Sequence, residues 1–244
     1  MTNFVPEKEL RQFKSWAGAT NFWIRKHTVD YNIVYSSAVE DEYNLKSWLF
    51  SDDDVIIDCG SMVGEECIPL GLAWPNTRII VVEAIPENCI MIEENAQQNG
   101  VKNLTIINAA LGSKTGKAKI RRASSFETND NEKYYYFLGN VILLESSTSF
   151  EYITVPQLSL KKLFEEYDIA KCALLKMDIE GSCSLLSTCS ISILRKIDWL
   201  IGEHHFYPRK KLLEFTKGVF EDIPCKWQTD SKMGHFRFRN KNLV

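Results

Sequence analysis

The spacing of apolar residues changes character near residue 54. Before that point the pattern is local and mixed. Residues 6–17 read as a helix. Residues 22–25 and 31–35 read as short strands around a polar turn. Tyr43, Leu45, Trp48 and Leu49 suit a short helix within 40–50. From residue 54 onward, strands and helices alternate. The nearly continuous apolar run at 55–59, with only Asp58 charged, predicts a buried parallel strand, and 79–82 is a second. A helix over 86–99 stops at Asn99-Gly100, a strong C-terminal signal. Strands follow at 104–108, 172–177 and 199–202, with helices at 161–168, 184–196 and 209–220. Two closing strands at 226–229 and 235–239 suggest a hairpin across Met233-Gly234. This alternation predicts an α/β fold with a mostly parallel sheet and helices on both faces. The expected division is an N-terminal helix-and-strand extension over 1–50 and one domain over 51–244. An insertion at 112–152 interrupts the rhythm. It reads either as a lid or binding loop, with a mobile stretch at 124–133, or as an extra hairpin packing its aromatics on the core.

Composition narrows the class. The chain has 244 residues, 45% of them hydrophobic and 25% charged, which suits a folded globular protein and excludes wholesale disorder. The net charge of −3 argues against a general nucleic-acid binder, which needs a concentrated basic surface. The short basic runs at 121–122, 209–211 and 237–241 read as solvated surface. No apolar run approaches the ~18–20 residues that span a bilayer, and the first ten residues do not read as a secretory signal. The seven cysteines form no Cys-x-x-Cys pair. They are expected to be reduced, mostly buried thiols of a cytoplasmic protein.

The densest chemistry follows the first parallel strand. Asp58-Cys59-Gly60-Ser61-Met62-Val63-Gly64-Glu65 opens a helix, and Glu83 ends the second strand 25 residues after Asp58. An acid about 20 residues beyond a glycine loop is placed to hold ribose hydroxyls. The loop lacks the middle glycine that admits a dinucleotide pyrophosphate, since Met62 stands there. It also lacks the Gly-Lys-Ser/Thr of a phosphate loop. Glu65 and Glu66 would repel a phosphate and tolerate a sulfonium, although plain compensation of the helix dipole accounts for them equally well. The loop therefore fits S-adenosylmethionine better than NAD.

Taken in order, Asp58-x-Gly60…Gly64, Glu83-Ala-Ile-Pro86-Glu-Asn88, Asn95…Asn99-Gly100, Ala109-Ala110-Leu111-Gly112, Lys176-Met-Asp178-Ile-Glu180-Gly181 and Glu203-His-His205 resemble the FkbM family of S-adenosylmethionine-dependent methyltransferases. The resemblance spans roughly residues 20–206. It implies a class I methyltransferase (Rossmann-like) sheet with an antiparallel last strand. It also implies methyl transfer to an oxygen, commonly a hydroxyl of a sugar or a natural-product scaffold. The cofactor set carried over is Asp58, Gly60, Ser61 and Gly64 around the methionine part, Glu83 with Ala84 at the ribose, and Ala109 and Ala110 at the adenine. The family pattern has Asn at position 62 and a carboxylate at 183. This chain has Met62 and Cys183, so no role is carried over for that carboxylate.

Ligands of open parallel sheets bind beyond the carboxyl ends of the strands. Asp178 and Glu180 leave the fourth strand there, and Glu203, His204 and His205 the fifth. Alternation sets Lys176, Asp178 and Glu180 on one side. The expected catalytic residues are His205, Asp178, Glu180 and Glu203, with His205 as the base because a neutral imidazole is available near pH 7. No metal is assigned, and a divalent ion held by Asp178, Glu180 and His205 is the minority alternative. Two competing functions are a nucleic-acid methyltransferase and a non-catalytic cofactor-binding protein. Against the first, the acidic Asp178-Ile179-Glu180-Gly181 stands where amino-methylating enzymes often carry Asn/Asp-Pro-Pro-aromatic. The expected partner is a small-molecule or glycan hydroxyl acceptor.

Overall fold

The structure, a computed structural model, describes residues 7–127, 133–134, 149–179, 182–229, 231 and 233–243. The chain opens with an antiparallel hairpin, β1 (Lys8–Ser15) and β2 (Gly18–Arg25), in register from Lys8↔Arg25 to Ser15↔Gly18. The helix expected over 6–17 is thus a strand. Its main chain pairs with β2, and Phe13 and Ser15 are buried on the face that also buries Thr20, Phe22 and Ile24. The strand expected at 31–35 is instead helical. Helix α1 (Asp30–Val34) runs into a π-helical turn, Tyr35–Val39. Its start is held by Asp30, which is fully buried and accepts bonds from Arg25 Nε at 2.8 Å and Nη2 at 2.9 Å. Within 40–50 only a 3-10 turn, Leu45–Ser47, forms, because Asp41 and Asn44 take left-handed backbone (φ 52° and 56°).

The alternating part follows as β3 (Val55–Cys59), α2 (Cys67–Ala73), β4 (Arg78–Glu83), α3 (Pro86–Asn99) and β5 (Leu104–Asn108). The insertion supplies β6 (Ala110–Leu111), β7 (Gly116–Glu127), β8 (Lys133–Tyr134) and β9 (Ser149–Leu158), with β7 antiparallel to β8 and β9. It is an added sheet in which only the short β6 runs parallel to its neighbour β9, and the mobile stretch expected at 124–133 is strand up to Glu127; residues 128–132 and 135–148 lie outside the described residues. Then come α4 (Leu160–Glu166), β10 (Cys172–Met177), a 3-10 segment Ser182–Thr188, α5 (Ile191–Leu194), β11 (Ile197–His205), α6 (Arg209–Phe215), β12 (Phe220–Asp222) and β13 (Met233–Asn240). The helix expected over 184–196 is split, and Ser190 caps the second piece by accepting from Ile193 N. The helix expected over 209–220 ends at Phe215, because Lys217 and Gly218 reverse the chain at φ 55° and 77°. The freed residues form β12, and residues 226–229 form no strand. Met233 and Gly234 lie inside β13 and not at a hairpin tip.

The central sheet runs β12-β13-β11-β10-β3-β4-β5. Strands β3, β4, β5, β10 and β11 are parallel, and β13 is antiparallel to both neighbours. This is the class I methyltransferase sheet. Period-2 alternation sends Ile57, Ile80 and Leu175 into one core layer and Ile56, Val81 and Leu174 into the other. The second layer also contains Phe13, Phe22, Val34, Leu45 and Trp48, so the first fifty residues share a core with the sheet. The open edge of β2 is tied down by two side chains of α3. Asn21 N donates to Asn99 Oδ1 at 2.9 Å, and Trp23 N to Asn95 Oδ1 at 2.6 Å. Cys59, Cys67, Cys89 and Cys172 are buried thiols, and Cys189 and Cys225 are partly buried ones. Among the described residues, no helix is long and apolar enough to cross a membrane.

Gly202 lets β10 and β11 come together. Its φ is 153°, and a Cβ there would sit 1.9 Å from the Met177 carbonyl oxygen. Gly202→Ala should therefore lower the unfolding free energy by about 3 kcal/mol, the upper range for overpacking. Urea denaturation checks this; an unchanged midpoint would contradict the packing described.

Candidate active site

The carboxyl ends of β3, β4, β10 and β11 meet at one edge, and a cavity of about 320 Å³ opens there. The glycine loop forms one wall. Gly60 takes φ 80°, and a Cβ on it would lie 1.8 Å from the Asp178 carbonyl oxygen, so only glycine lets the loop pass the end of β10. Met62 also adopts a left-handed backbone (φ 32°) and is buried against the second core layer. Glu83, at the end of β4, draws the loop in. Its carboxylate accepts from Met62 N at 3.2 Å and from Ile85 N at 2.8 Å. Burial raises its pKa, against the pull of these bonds. The Arg25 guanidinium reaches the same corner through Asn88, which accepts from Nη1 at 2.8 Å.

Of the expected cofactor residues, Gly60, Glu83, Ala84, Ala109 and Ala110 line the cavity. Asp58, Ser61 and Gly64 stand behind its wall. Asp58 is fully buried and lies 3.3 Å from the Lys176 ammonium. That ammonium also donates to Gly60 O at 2.8 Å and approaches Glu66 at 3.4 Å. The pair Glu65 and Glu66, open to a surface helix-dipole reading, is in fact buried. Burial pushes the Glu66 carboxyl up to about 8, with Lys176 opposing and Asp58 adding to the rise. Burial and the neighbouring Glu66 carry Glu65 well above the usual carboxylate range.

Asp178 and Glu203 line the same cavity. With His205 they form a compact group whose ligand-type atoms all lie within 4.8 Å of one another. His205 Nε2 is 3.2 Å from Glu203 Oε2. Burial raises the pKa of Asp178, and Glu203 adds to the rise while Lys176 opposes it. Burial also pushes Glu203 upward, but the bond and charge of His205 outweigh it and hold Glu203 below its ordinary value. His204, one residue earlier, is fully buried, with burial lowering its pKa. Glu180 lies outside the described residues.

The site also contains residues that sequence reasoning missed. Tyr43 donates its hydroxyl to Asp178 Oδ2 at 3.1 Å and lies against His235, with ring centroids 4.9 Å apart. Ser37, Glu42 and His235 line the cavity with it. Ser37 donates to Glu42 Oε1. None of these four sits in a motif; pairing of β13 with β11 sets His235 opposite Glu203, and the fold of residues 30–43 brings the others. Ile120 of β7 closes another side. Two arginines read as surface are not. Arg209 is buried and paired with Asp222, and Arg237 lies over Trp48 at 4.7 Å and Trp199 at 5.2 Å.

Ligands of open parallel sheets bind at this edge, beyond the carboxyl ends of the strands. The methyltransferase FkbM domain matches residues 58–182, and the chain belongs to that family. No curated protein matches it in sequence. Among solved structures it is similar to P. horikoshii TYW2 in complex with MeSAdo, at 11% identity and TM-score 0.52, over 96% of this chain and 72% of that one. It is also similar to M. jannaschii TYW2 in complex with AdoMet (11% identity, TM-score 0.46, 97% and 89% of the two chains). A third is precorrin-6y C5,15-methyltransferase from Geobacter metallireducens GS-15 (13% identity, TM-score 0.46, 82% and 86%). The protein is a methyltransferase.

The buried carboxylates make stability depend on pH. The folded chain keeps on Glu66 a proton that the unfolded chain releases near 4.5. The stabilisation is complete below that value and is lost as pH rises toward about 8. The melting temperature should fall across this window, and Glu66→Gln should make the fall shallower. Equal slopes in both proteins, measured by thermal denaturation, would refute this.

Proposed function

We propose that this methyltransferase uses S-adenosylmethionine to methylate a hydroxyl of a sugar, a glycan or a natural-product scaffold. The observation that carries the reading is one cavity lined by both sets of residues: Gly60, Glu83, Ala109 and Ala110 together with Asp178 and Glu203. The residues fit the cofactor. Gly60 offers backbone without a side chain, Glu83 offers a carboxylate to ribose hydroxyls, and Ala84, Ile85, Ala109 and Leu111 offer an apolar slot for the adenine. Asp58, Ser61 and Gly64 shape the loop from behind. S-adenosylmethionine, when bound, supplies an electrophilic methyl on a sulfonium that leaves as a neutral thioether.

The chain's own residues would then do two things. They hold donor and acceptor in line, which supplies most of the acceleration, about 7–11 kcal/mol for well-aligned partners. Asp178, Glu203 and His205, with Glu180 retained on its sequence position, receive the acceptor hydroxyl, and this group removes its proton as the O–C bond forms. Carboxylates accept well from the hydroxyls of a sugar. Asp178, Glu203 and Glu42 around one cavity oppose an anionic acceptor in a partly desolvated cleft. That supports a neutral or cationic acceptor over RNA or DNA.

Calorimetry and a labelled-methyl screen test the reading. Glu83→Ala should weaken S-adenosylmethionine binding by about 1–3 kcal/mol, the scale of hydrogen bonds to a charged group. Asp178→Asn and His205→Ala should cut turnover while cofactor binding stays near that of the unaltered chain. Labelling of RNA or DNA, with none of any glycan, sugar nucleotide or hydroxylated small molecule, would overturn the acceptor assignment.

A further inference from the structure

The group Asp178, Glu203 and His205 does not resemble a hydroxyl-binding surface alone. It joins two carboxylates and an imidazole, contributed by the carboxyl ends of adjacent parallel strands. Six-coordinate ions such as Mg²⁺ bind donors at about 2.0–2.1 Å, which places opposite ligands about 4.2 Å apart. The three donor atoms here lie within 4.8 Å of one another, so small side-chain rotations would bring them onto one ion. Two further features point the same way. The carboxylates gather negative charge, and the nearby Lys176 ammonium is spent on Gly60 O, Asp58 and Glu66. Asp178 is also oriented by the Tyr43 hydroxyl at 3.1 Å, and Tyr43 is in turn packed on His235. Ligating carboxylates are ordinarily fixed by an outer hydrogen bond of this kind.

We propose that Asp178, Glu203 and His205 bind one divalent cation of the Mg²⁺/Mn²⁺ class at the acceptor end of the cavity. Two carboxylates with one imidazole suit such an ion, and three protein ligands leave positions open toward the cavity. The proposal rests on the hydroxyl-acceptor reading and alters the part played by His205. Its ring nitrogen binds the ion, the ion binds the acceptor oxygen, and the hydroxyl proton passes to water. The oxygen then takes the methyl as the carbon–sulfur bond breaks and its electron pair stays on sulfur. An acceptor with two neighbouring hydroxyls would fill two open positions at once, which favours a vicinal diol, as sugars provide.

Mn²⁺ is the probe. The full chain, stripped with a chelator, is titrated with Mn²⁺ and followed by the electron paramagnetic resonance of the free aqua ion. One bound ion per chain is expected, displaced by Mg²⁺. Spin-echo modulation from a directly bound imidazole nitrogen should appear in the unaltered chain and vanish in His205→Ala. Asp178→Asn and Glu203→Gln should each weaken binding more than tenfold, and Tyr43→Phe, which keeps the ring, by about 10- to 100-fold. The spectrum of the unaltered chain stands by itself if a variant fails to fold. Absence of Mn²⁺ binding, or binding without nitrogen modulation, would sink the proposal. Calorimetry with S-adenosylmethionine on the same samples separates the two readings. Cofactor binding without Mn²⁺ binding removes only the ion, whereas loss of cofactor binding removes the function.

Discussion

Lys176 carries its ammonium into a place where water does not reach, and the architecture of the site turns on that charge. Its partners come from three segments: the Gly60 carbonyl of the glycine loop, Asp58 at the end of β3, and Glu66 before α2. Burial alone would lower the lysine's pKa; Asp58 and Glu66 reverse this and hold it well above its ordinary value. Such a group is costly to desolvate and costly to break, about 3–5 kcal/mol when one partner is removed. What it secures is geometry. The loop that would carry the cofactor and the strand that ends at Asp178 are fastened to each other by a single side chain. The missing Cβ of Gly60 then lets them touch.

From that seam the rest of the site follows in layers. Glu83 pulls Met62 and Ile85 toward the cavity through their N–H groups, and Asn88 relays the position of Arg25 to the same corner. Arg25 in turn fixes Asp30, where the helical segment over residues 30–39 begins. The path from the hairpin to the cavity is therefore a continuous set of buried hydrogen bonds. Tyr43 closes the circuit at Asp178. Polar networks of this kind hold their shape only when each member is satisfied, which ties the first fifty residues physically to the chemistry of the far strands.

Most of the sheet was legible because buried parallel strands read as nearly continuous apolar runs, and those at 55–59, 79–82 and 172–177, interrupted only by Asp58 and Lys176, leave little alternative. The glycine loop and the buried acid at the end of the second strand were legible for a related reason: close backbone approach at Gly60 demands one residue type, and Glu83 stands at a fixed spacing from it. The errors fell where no such demand exists. Residues 6–17 and 31–35 have apolar spacing compatible with either helix or strand, and what settled them was pairing with β2 in one case and the Arg25–Asp30 ion pair in the other. The chain end after α6 was misread because left-handed backbone at Lys217 ended the helix earlier than periodicity suggested.

The sequence by itself determined the class of fold, the glycine loop with the acid that ends the second strand, and the placing of Asp178, Glu203 and His205 at neighbouring strand ends. Those features depend on local order along the chain: a strand, a turn and a helix in succession, with polar residues at the exit. Tertiary structure alone decided which side chains complete the cavity. Tyr43, Glu42, Ser37 and His235 are separated from Asp178 by stretches of chain that carry no shared motif. They meet it because the N-terminal segment packs on one face of the sheet and β13 runs antiparallel beside β11. Contacts between such distant segments are set by packing and strand register, which no local pattern of residue types records.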